Sequence, residues 1–334
     1  MSATAKAAED PDRLPNLEQL LQPLEAATRE RARSAVELLH GQIVGSERLR
    51  GEVAAYLKGD RSPVTLVDLL HQTQAQQMIA ARFPGDGFIA EESPALQAAV
   101  LAETAALAER YYEAKLESEL PGLPATGRFT WLMDPIDGTK GFLARRYYAI
   151  AIGCFLGETP LLAVMATPRL GDSPSWGIDG AIALAVAGHG AWIARREAGA
   201  ELDFVPLGKP AEAAADRVRV ALSLEHAGPL ADTVETIAGL SILRLDSQAK
   251  YLAVAAGDLE AYVRRRREDG RPDAMWDHMP GGLIAIEAGC AVAHFDASPL
   301  RWVPSPTIDL RGGCLCYRPP ARGPLADLLA RLTD

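Results

Sequence analysis

Residues 131–143, WLMDPIDGTKGFL, constrain this chain more than any other stretch. An apolar run delivers Asp134, Pro135 fixes a turn, and Asp137-Gly138-Thr139 opens a helix. Two carboxylates three residues apart around that turn aim at one point, with the backbone carbonyl of Ile136 between them. An all-oxygen site of this kind suits a hard cation such as Mg²⁺. The N–H groups of Gly138 and Thr139 at the helix start add an anion cradle, where a phosphate can bridge to the metal. Taken alone, the motif is equally a strand–turn–helix junction with Asp as N-cap. Other segments decide.

Glu91-Glu92-Ser93 follows the short apolar run GFIA, and Trp276-Asp277 precedes a glycine-rich helical run, MPGGLIAIEAGC. Each alone reads as a solvated pair or a simple helix cap. With Asp134 and Asp137 they make an acidic quartet able to hold two or three divalent ions, as metal-assisted hydrolysis of a phosphate ester requires.

The rest of the chain supplies the frame. LEQLLQPLEAATRERARSAVELLHGQI has helical spacing, with Gly41 or Gly45 as a natural stop. TLVDLLHQTQAQQMIAARF repeats the pattern up to Pro84-Gly85, and ALQAAVLAETAALAERYYEAKLESEL predicts one long helix. From Phe129 the texture turns to β-branched and aromatic runs (FTWLMD, YYAIAIGCFL, LLAVMATP, then AIALAVAGHGAWIARR), an antiparallel sheet covered by helices. Beyond LGKPAEAAADR, strands in RVRVALS, SILRLD and AYVRR alternate with helices. The expected fold is α/β. An N-terminal arm (1–16) leads into an α+β metal-binding lobe (17–207) and an α/β substrate lobe (208–334).

A formal charge of -10 argues against a nucleic-acid or membrane-surface binder, which needs a broad basic face. The start of the chain has no apolar core of a secretory signal, and no apolar run approaches the roughly 20 residues of a bilayer span. Four scattered cysteines without metal-ligand spacing fit reduced thiols in a cytoplasm. The expected partner is a small phosphorylated metabolite, taken by a monomer or homodimer.

The order GDRSPVTLVD, FIAEES, WLMDPIDGTKGF, WDHMPGGLIAIEAG resembles the inositol monophosphatase superfamily of lithium-sensitive, Mg²⁺-dependent phosphatases, over residues 35 to 318. LDSQAKY (245–251) is similar to the 3'(2'),5'-bisphosphate nucleotidase branch, which removes the 3'-phosphate of 3'-phosphoadenosine 5'-phosphate. The resemblance implies a layered α-β-α-β-α sandwich of the sugar phosphatase type. It implies Glu91, Asp134, Asp137, Asp277 and the Ile136 carbonyl as ligands of two or three Mg²⁺ ions. Asp68 would pair with Thr139 to deprotonate the attacking water, while Gly138 and Thr139 hold phosphoryl oxygens. Ser247 and Lys250 match positions that contact the nucleotide and its second phosphate. Arg264 stands where the branch has an arginine able to clamp the 5'-phosphate, and His226 lies near a base-contacting histidine.

Departures fall on the substrate side. Ala90 replaces a usual glycine, Cys290 replaces the last glycine of EAGG, and Ala144-Arg145-Arg146-Tyr147 replaces an Arg-Gly-acidic-Gln run. An inositol polyphosphate or other sugar phosphate is the alternative substrate. A non-catalytic nucleotide or metal sensor is the more remote one, disfavoured because every ligand and both members of the proton relay are present.

Overall fold

Pro23 divides the first predicted helix in two. α1 (Leu17–Leu21) is capped by a reciprocal Asn16–Gln19 box, and α2 (Ala26–Leu49) restarts beyond the proline. α2 then continues through Gly41 and Gly45, so neither glycine is the stop expected. Gly45 serves packing: a Cβ there would lie 2.2 Å from Cδ1 of Tyr112, so only a glycine admits that ring against the helix. The computed structural model describes residues 16–49, 55–57, 63–170, 177–196, 201–208, 218–224, 228–267, 270–319 and 322–333.

A short antiparallel pair, β1 (Ala55–Leu57) and β2 (Pro63–Thr65), leads into α3 (Leu66–Arg82), whose N-cap is Thr65. After β3 (Gly87–Ala90), the long helix expected over 95–120 is two shorter ones, α4 (Pro94–Ala99) and α5 (Leu101–Tyr112). α5 ends where Glu113 turns left-handed, at φ 52°. The Ala/Leu/Glu composition beyond it favours helix, but tertiary hydrogen bonds override that preference. Gln77 on α3 donates to the Glu117 carbonyl (3.1 Å) and accepts from its N–H (3.0 Å), and Gln76 donates to the Pro121 carbonyl (2.6 Å).

Next come β4 (Phe129–Asp137), the one-turn α6 (Thr139–Leu143), β5 (Ala149–Leu156), β6 (Thr159–Ala166), β7 (Ala181–Val186), β8 (Gly190–Arg195) and β9 (Val205–Pro206). They form a seven-stranded sheet in the order β3-β4-β5-β6-β7-β8-β9, antiparallel except for the β3–β4 pair. The strands that follow belong to a second sheet. β10 (Val218–Ser223), α7 (Gly228–Glu235), β11 (Leu240–Leu245), α8 (Ala249–Ala256) and β12 (Ala261–Arg265) alternate as expected, and β10 runs parallel to β11 and to β12. β13 (Asp273–Ala274) pairs with β15 (Thr307–Ile308) and flanks a 3₁₀ turn, Met275–Asp277, and α9 (Met279–Glu287). β14 (Ala291–His294) and β16 (Gly313–Tyr317) complete a five-stranded sheet, β11-β10-β12-β16-β14, and α10 (Arg322–Thr333) follows.

Three apolar cores glue these parts into five layers. α2 and α3 cover one face of the large sheet, sharing a core of Leu39, Ile43, Val67, Trp131 and Ile152. α8 and α9 fill the space between the sheets, with Met279, Ile284, Tyr251 and Leu252. α7 and α10 close the far face of the small sheet through Leu230, Val234, Leu325 and Leu328. The large sheet is covered on both faces, which explains why β5 and β7 are near-continuous apolar runs rather than alternating. The α-β-α-β-α sandwich is the observed fold. Cys154, Cys290, Cys314 and Cys316 are buried free thiols, and no described helix is long and apolar enough to cross a membrane.

Candidate active site

Pro135 does not turn the chain. β4 continues through it as a β-bulge: Asp134 pairs with Ala151 and Asp137 with Ala149, so Pro135 and Ile136 together face one residue of β5. Proline has no N–H to give the ladder, which suits it to such a site. The bulge frees two carbonyls. That of Pro135 accepts from Nδ1 of His71 at 3.0 Å, and that of Ile136 lies 3.2 Å from the Thr139 hydroxyl oxygen, whose one proton it shares with Asp68. Asp134 and Asp137 flank them.

One face of α3 meets this bulge. Asp68, His71 and Gln72 stand at i, i+3 and i+4, the spacing that aligns side chains on a helix. Asp68 is fully buried; its Oδ2 accepts from the Thr65 N–H (2.9 Å) and hydroxyl (2.5 Å), and its Oδ1 accepts from the Thr139 hydroxyl at 3.3 Å. Gln72 holds the segment after β3 by both polar atoms, donating to the Glu92 carbonyl (2.7 Å) and accepting from its N–H (2.8 Å). Glu91 is thereby fixed beside the bulge.

The carboxylates feel one another. Burial, then the charges of Glu91, Asp137, Asp277 and Asp68, hold the Asp134 carboxyl well above the usual range. Burial also raises Asp137, against the attraction of Lys250, and pushes Asp277 up to about 7, with Asp137 adding to the effect and Arg264 opposing it. The Asp134 Oδ1 is buried without a hydrogen-bond partner. Among the described residues no three side-chain donors of His, Cys, Asp or Glu already stand close enough to make a finished metal cage. The acids lie near enough for their charges to raise one another's pKa. The orphaned oxygen and the mutual repulsion both fit divalent cations held by Glu91, Asp134, Asp137, Asp277 and the Ile136 carbonyl.

A measurable pH dependence follows. A carboxyl with a folded pKa above its unfolded value keeps a proton that the unfolded chain releases, so stability falls as pH climbs from about 4 towards about 7. In chelator the melting temperature should therefore drop between about pH 5 and about pH 8, and Mg²⁺ should raise it more at the higher pH. A melting temperature in chelator that is flat over that interval would contradict the acidic cluster.

The second sheet delivers the remaining groups. Its loop after β11 turns back at Ser247, left-handed at φ 61°, against Gly138, itself at φ 86°. A Cβ on Gly138 would lie 3.1 Å from the Ser247 Cβ, so the glycine allows both the left-handed backbone and the close approach. The Gln248 N–H donates to Asp137 Oδ2 at 2.6 Å. Its side chain donates to the Trp276 carbonyl (2.9 Å) and accepts from the Gly281 N–H (3.0 Å), tying Asp137 to the turn that carries Asp277.

Two residues expected to contact substrate have partners within the protein. Lys250 is only 4% exposed; its Nζ donates to the carbonyls of Leu245 and Ser247 and sits 5.3 Å over the Tyr262 ring. Burial lowers its pKa to about 8, with the charge of Asp137 pulling the other way. Arg264 directs Nε (3.1 Å) and Nη2 (2.6 Å) to Oδ1 of the buried Asp273, with Nη2 at 3.9 Å from Asp277 Oδ2. Its fork is spent on carboxylates. His226 lies outside the described residues.

Sequence reading did not single out Thr65, His71, Gln72, Gln248 or Asp273. Asp68, His71 and Gln72 had a visible signal, their shared helical face. Gln248 had none, because its partners Asp137, Trp276 and Gly281 lie far along the chain.

Comparison with known proteins identifies the family. The inositol monophosphatase family, through its sequence model, matches residues 20–318. The chain is 28% identical to a 3'(2'),5'-bisphosphate nucleotidase of Schizosaccharomyces pombe, over 87% of this chain and 89% of that protein. It is 32% identical to a probable 3'(2'),5'-bisphosphate nucleotidase of Arabidopsis thaliana over 51% of this chain, spanning about half (49%) of that relative. An IMPase structure from Thermotoga maritima superposes with a TM-score of 0.62 at 18% identity, over 91% of this chain and 98% of that one. With the family matched along nearly the whole fold, and the bulged acidic strand at its centre, the chain belongs to the inositol monophosphatase family.

Proposed function

We propose that this protein is a Mg²⁺-dependent 3'(2'),5'-bisphosphate nucleotidase that hydrolyses the 3'-phosphate of 3'-phosphoadenosine 5'-phosphate, releasing AMP and phosphate. The observation that carries the hydrolytic reading is the Thr139–Asp68 hydrogen bond (3.3 Å) beside the acidic cluster. The nucleotidase assignment rests on the LDSQAKY loop and on relatives of that name.

Two or three divalent ions, held by Glu91, Asp134, Asp137, Asp277 and the Ile136 carbonyl, would supply Lewis acidity, lowering the pKa of water and offsetting phosphoryl charge. The chain's own groups do the rest. Thr139 passes its hydroxyl proton to Oδ1 of Asp68 as it takes one from the attacking water. The new P–O bond forms opposite the breaking bond to the ribose oxygen, with the Gly138 and Thr139 N–H groups on the phosphoryl oxygens. Ser247, packed against Gly138, faces the nucleotide. Arg264 becomes a clamp for the 5'-phosphate only by exchanging Asp273 for the ligand.

Phosphate release should be measured side by side on 3'-phosphoadenosine 5'-phosphate, its sulfated precursor, inositol 1-phosphate, inositol 1,4-bisphosphate and fructose 1,6-bisphosphate. The expected result is a requirement for Mg²⁺ and at least about tenfold higher kcat/KM for the adenosine bisphosphate over the inositol and fructose esters, ~1.4 kcal/mol of discrimination. Equal or better turnover of an inositol phosphate would overturn the nucleotidase assignment.

A further inference from the structure

His71 is fully buried on α3, behind the bulge and away from any expected substrate. Its Nδ1 lies 3.0 Å from the Pro135 carbonyl, and its Nε2 lies 3.0 Å from the hydroxyl of Tyr112 at the end of α5. A carbonyl can only accept, so Nδ1 donates to Pro135; burial lowers the imidazole pKa to about 4 and keeps the ring neutral, so Nε2 accepts from the Tyr112 hydroxyl, with the Gln42 carbonyl also against the ring. Tyr112 is itself fixed, because its ring fills the space over Gly45 of α2 and meets His71 edge-on at 5.6 Å between centroids.

The geometry points to His71 as a positioning residue for the metal-binding bulge, with Tyr112 as its brace. By holding the Pro135 carbonyl towards α3, the imidazole sets the orientation of the peptide planes between Asp134 and Asp137. The next carbonyl, that of Ile136, then faces Thr139 and the acidic cluster. The influence of His71 passes through Pro135 to the atoms that would hold the ions, and groups supporting metal ligands in this way are worth roughly 10- to 100-fold in affinity. The inference rests on the divalent-ion reading of the site.

Binding of Mn²⁺ and Mg²⁺ to the full chain, measured by calorimetry without substrate, tests it directly. His71→Gln carries its amide at the Nε2 position and leaves Pro135 without a donor; it should weaken binding by roughly tenfold or more. His71→Asn carries its amide at the Nδ1 position and should restore most of the affinity, a rescue that a role in core filling would not predict. Tyr112→Phe should give a smaller loss, and ¹⁵N spectra of the wild type should show His71 with its proton on Nδ1. If the wild type binds ions and the Gln and Asn variants bind them equally well, His71 has no positioning role. If the wild type binds none, the divalent-ion reading itself falls, and this inference with it. Should His71→Gln fail to fold, wild-type affinity in both His71→Asn and Tyr112→Phe together with an Nε2-protonated imidazole would still overturn the inference.

Discussion

Asp134→Asn should abolish nearly all phosphate release, lowering kcat by about 10³-fold or more, ~4 kcal/mol of transition-state stabilisation. Asp134 is 2% exposed, its Oδ1 has no hydrogen-bond partner among the described residues, and four other carboxylates press on it. An amide keeps the shape but removes the charge that a divalent ion would need. The same change relieves repulsion within the metal-free site, so the variant should melt at a higher temperature than wild type in chelator at about pH 8. It should also lose most of the stabilisation given by added Mg²⁺. Loss of activity with gain of metal-free stability is a combination that misfolding cannot produce. Wild-type turnover in this variant would mean that the catalytic centre lies elsewhere.

The acids of this site were legible because carboxylates are rarely buried, and a chain that places two of them in an apolar strand must have a use for them. How they converge was not legible. Asp-Pro reads as a turn, and only the pairing of Asp134 with Ala151 and Asp137 with Ala149 reveals a bulge between the two acids. The same limit applies to Gly45. A glycine in a helical pattern reads as a stop until the Tyr112 ring, 67 positions away by residue number, is seen to need the space. Residues 113–120 have helical composition, yet Gln76 and Gln77 on α3 capture backbone groups of the 117–121 stretch. Lys250 and Arg264 show the limit for charges. A cation near an expected anion site reads as a ligand contact, but sequence does not show that Lys250 also bonds the Leu245 and Ser247 carbonyls or that Arg264 also bonds the buried Asp273.

The proton relay gives the second large effect. Asp68 takes two donors from Thr65 on Oδ2 and the Thr139 hydroxyl on Oδ1. In Asp68→Asn one of those oxygens becomes an amide nitrogen. The bonds to Thr65, at 2.9 and 2.5 Å, are shorter than the 3.3 Å bond to Thr139, so the remaining oxygen should stay with Thr65. The amide N–H then points at Thr139, which must accept instead of donate and can no longer pass its proton on. We expect kcat to fall by about 10²- to 10⁴-fold with KM nearly unchanged, since the phosphate and ion contacts survive. Thr139→Val should cost about as much, and Thr139→Ser, which keeps the hydroxyl, far less. Because the two residues act as one unit, the double variant Asp68→Asn/Thr139→Val should be no worse than either single one to within about threefold. Losses that multiply in the double variant would show that Asp68 and Thr139 work independently, and the relay through the threonine hydroxyl would have to be abandoned in favour of separate roles in folding and in phosphate binding.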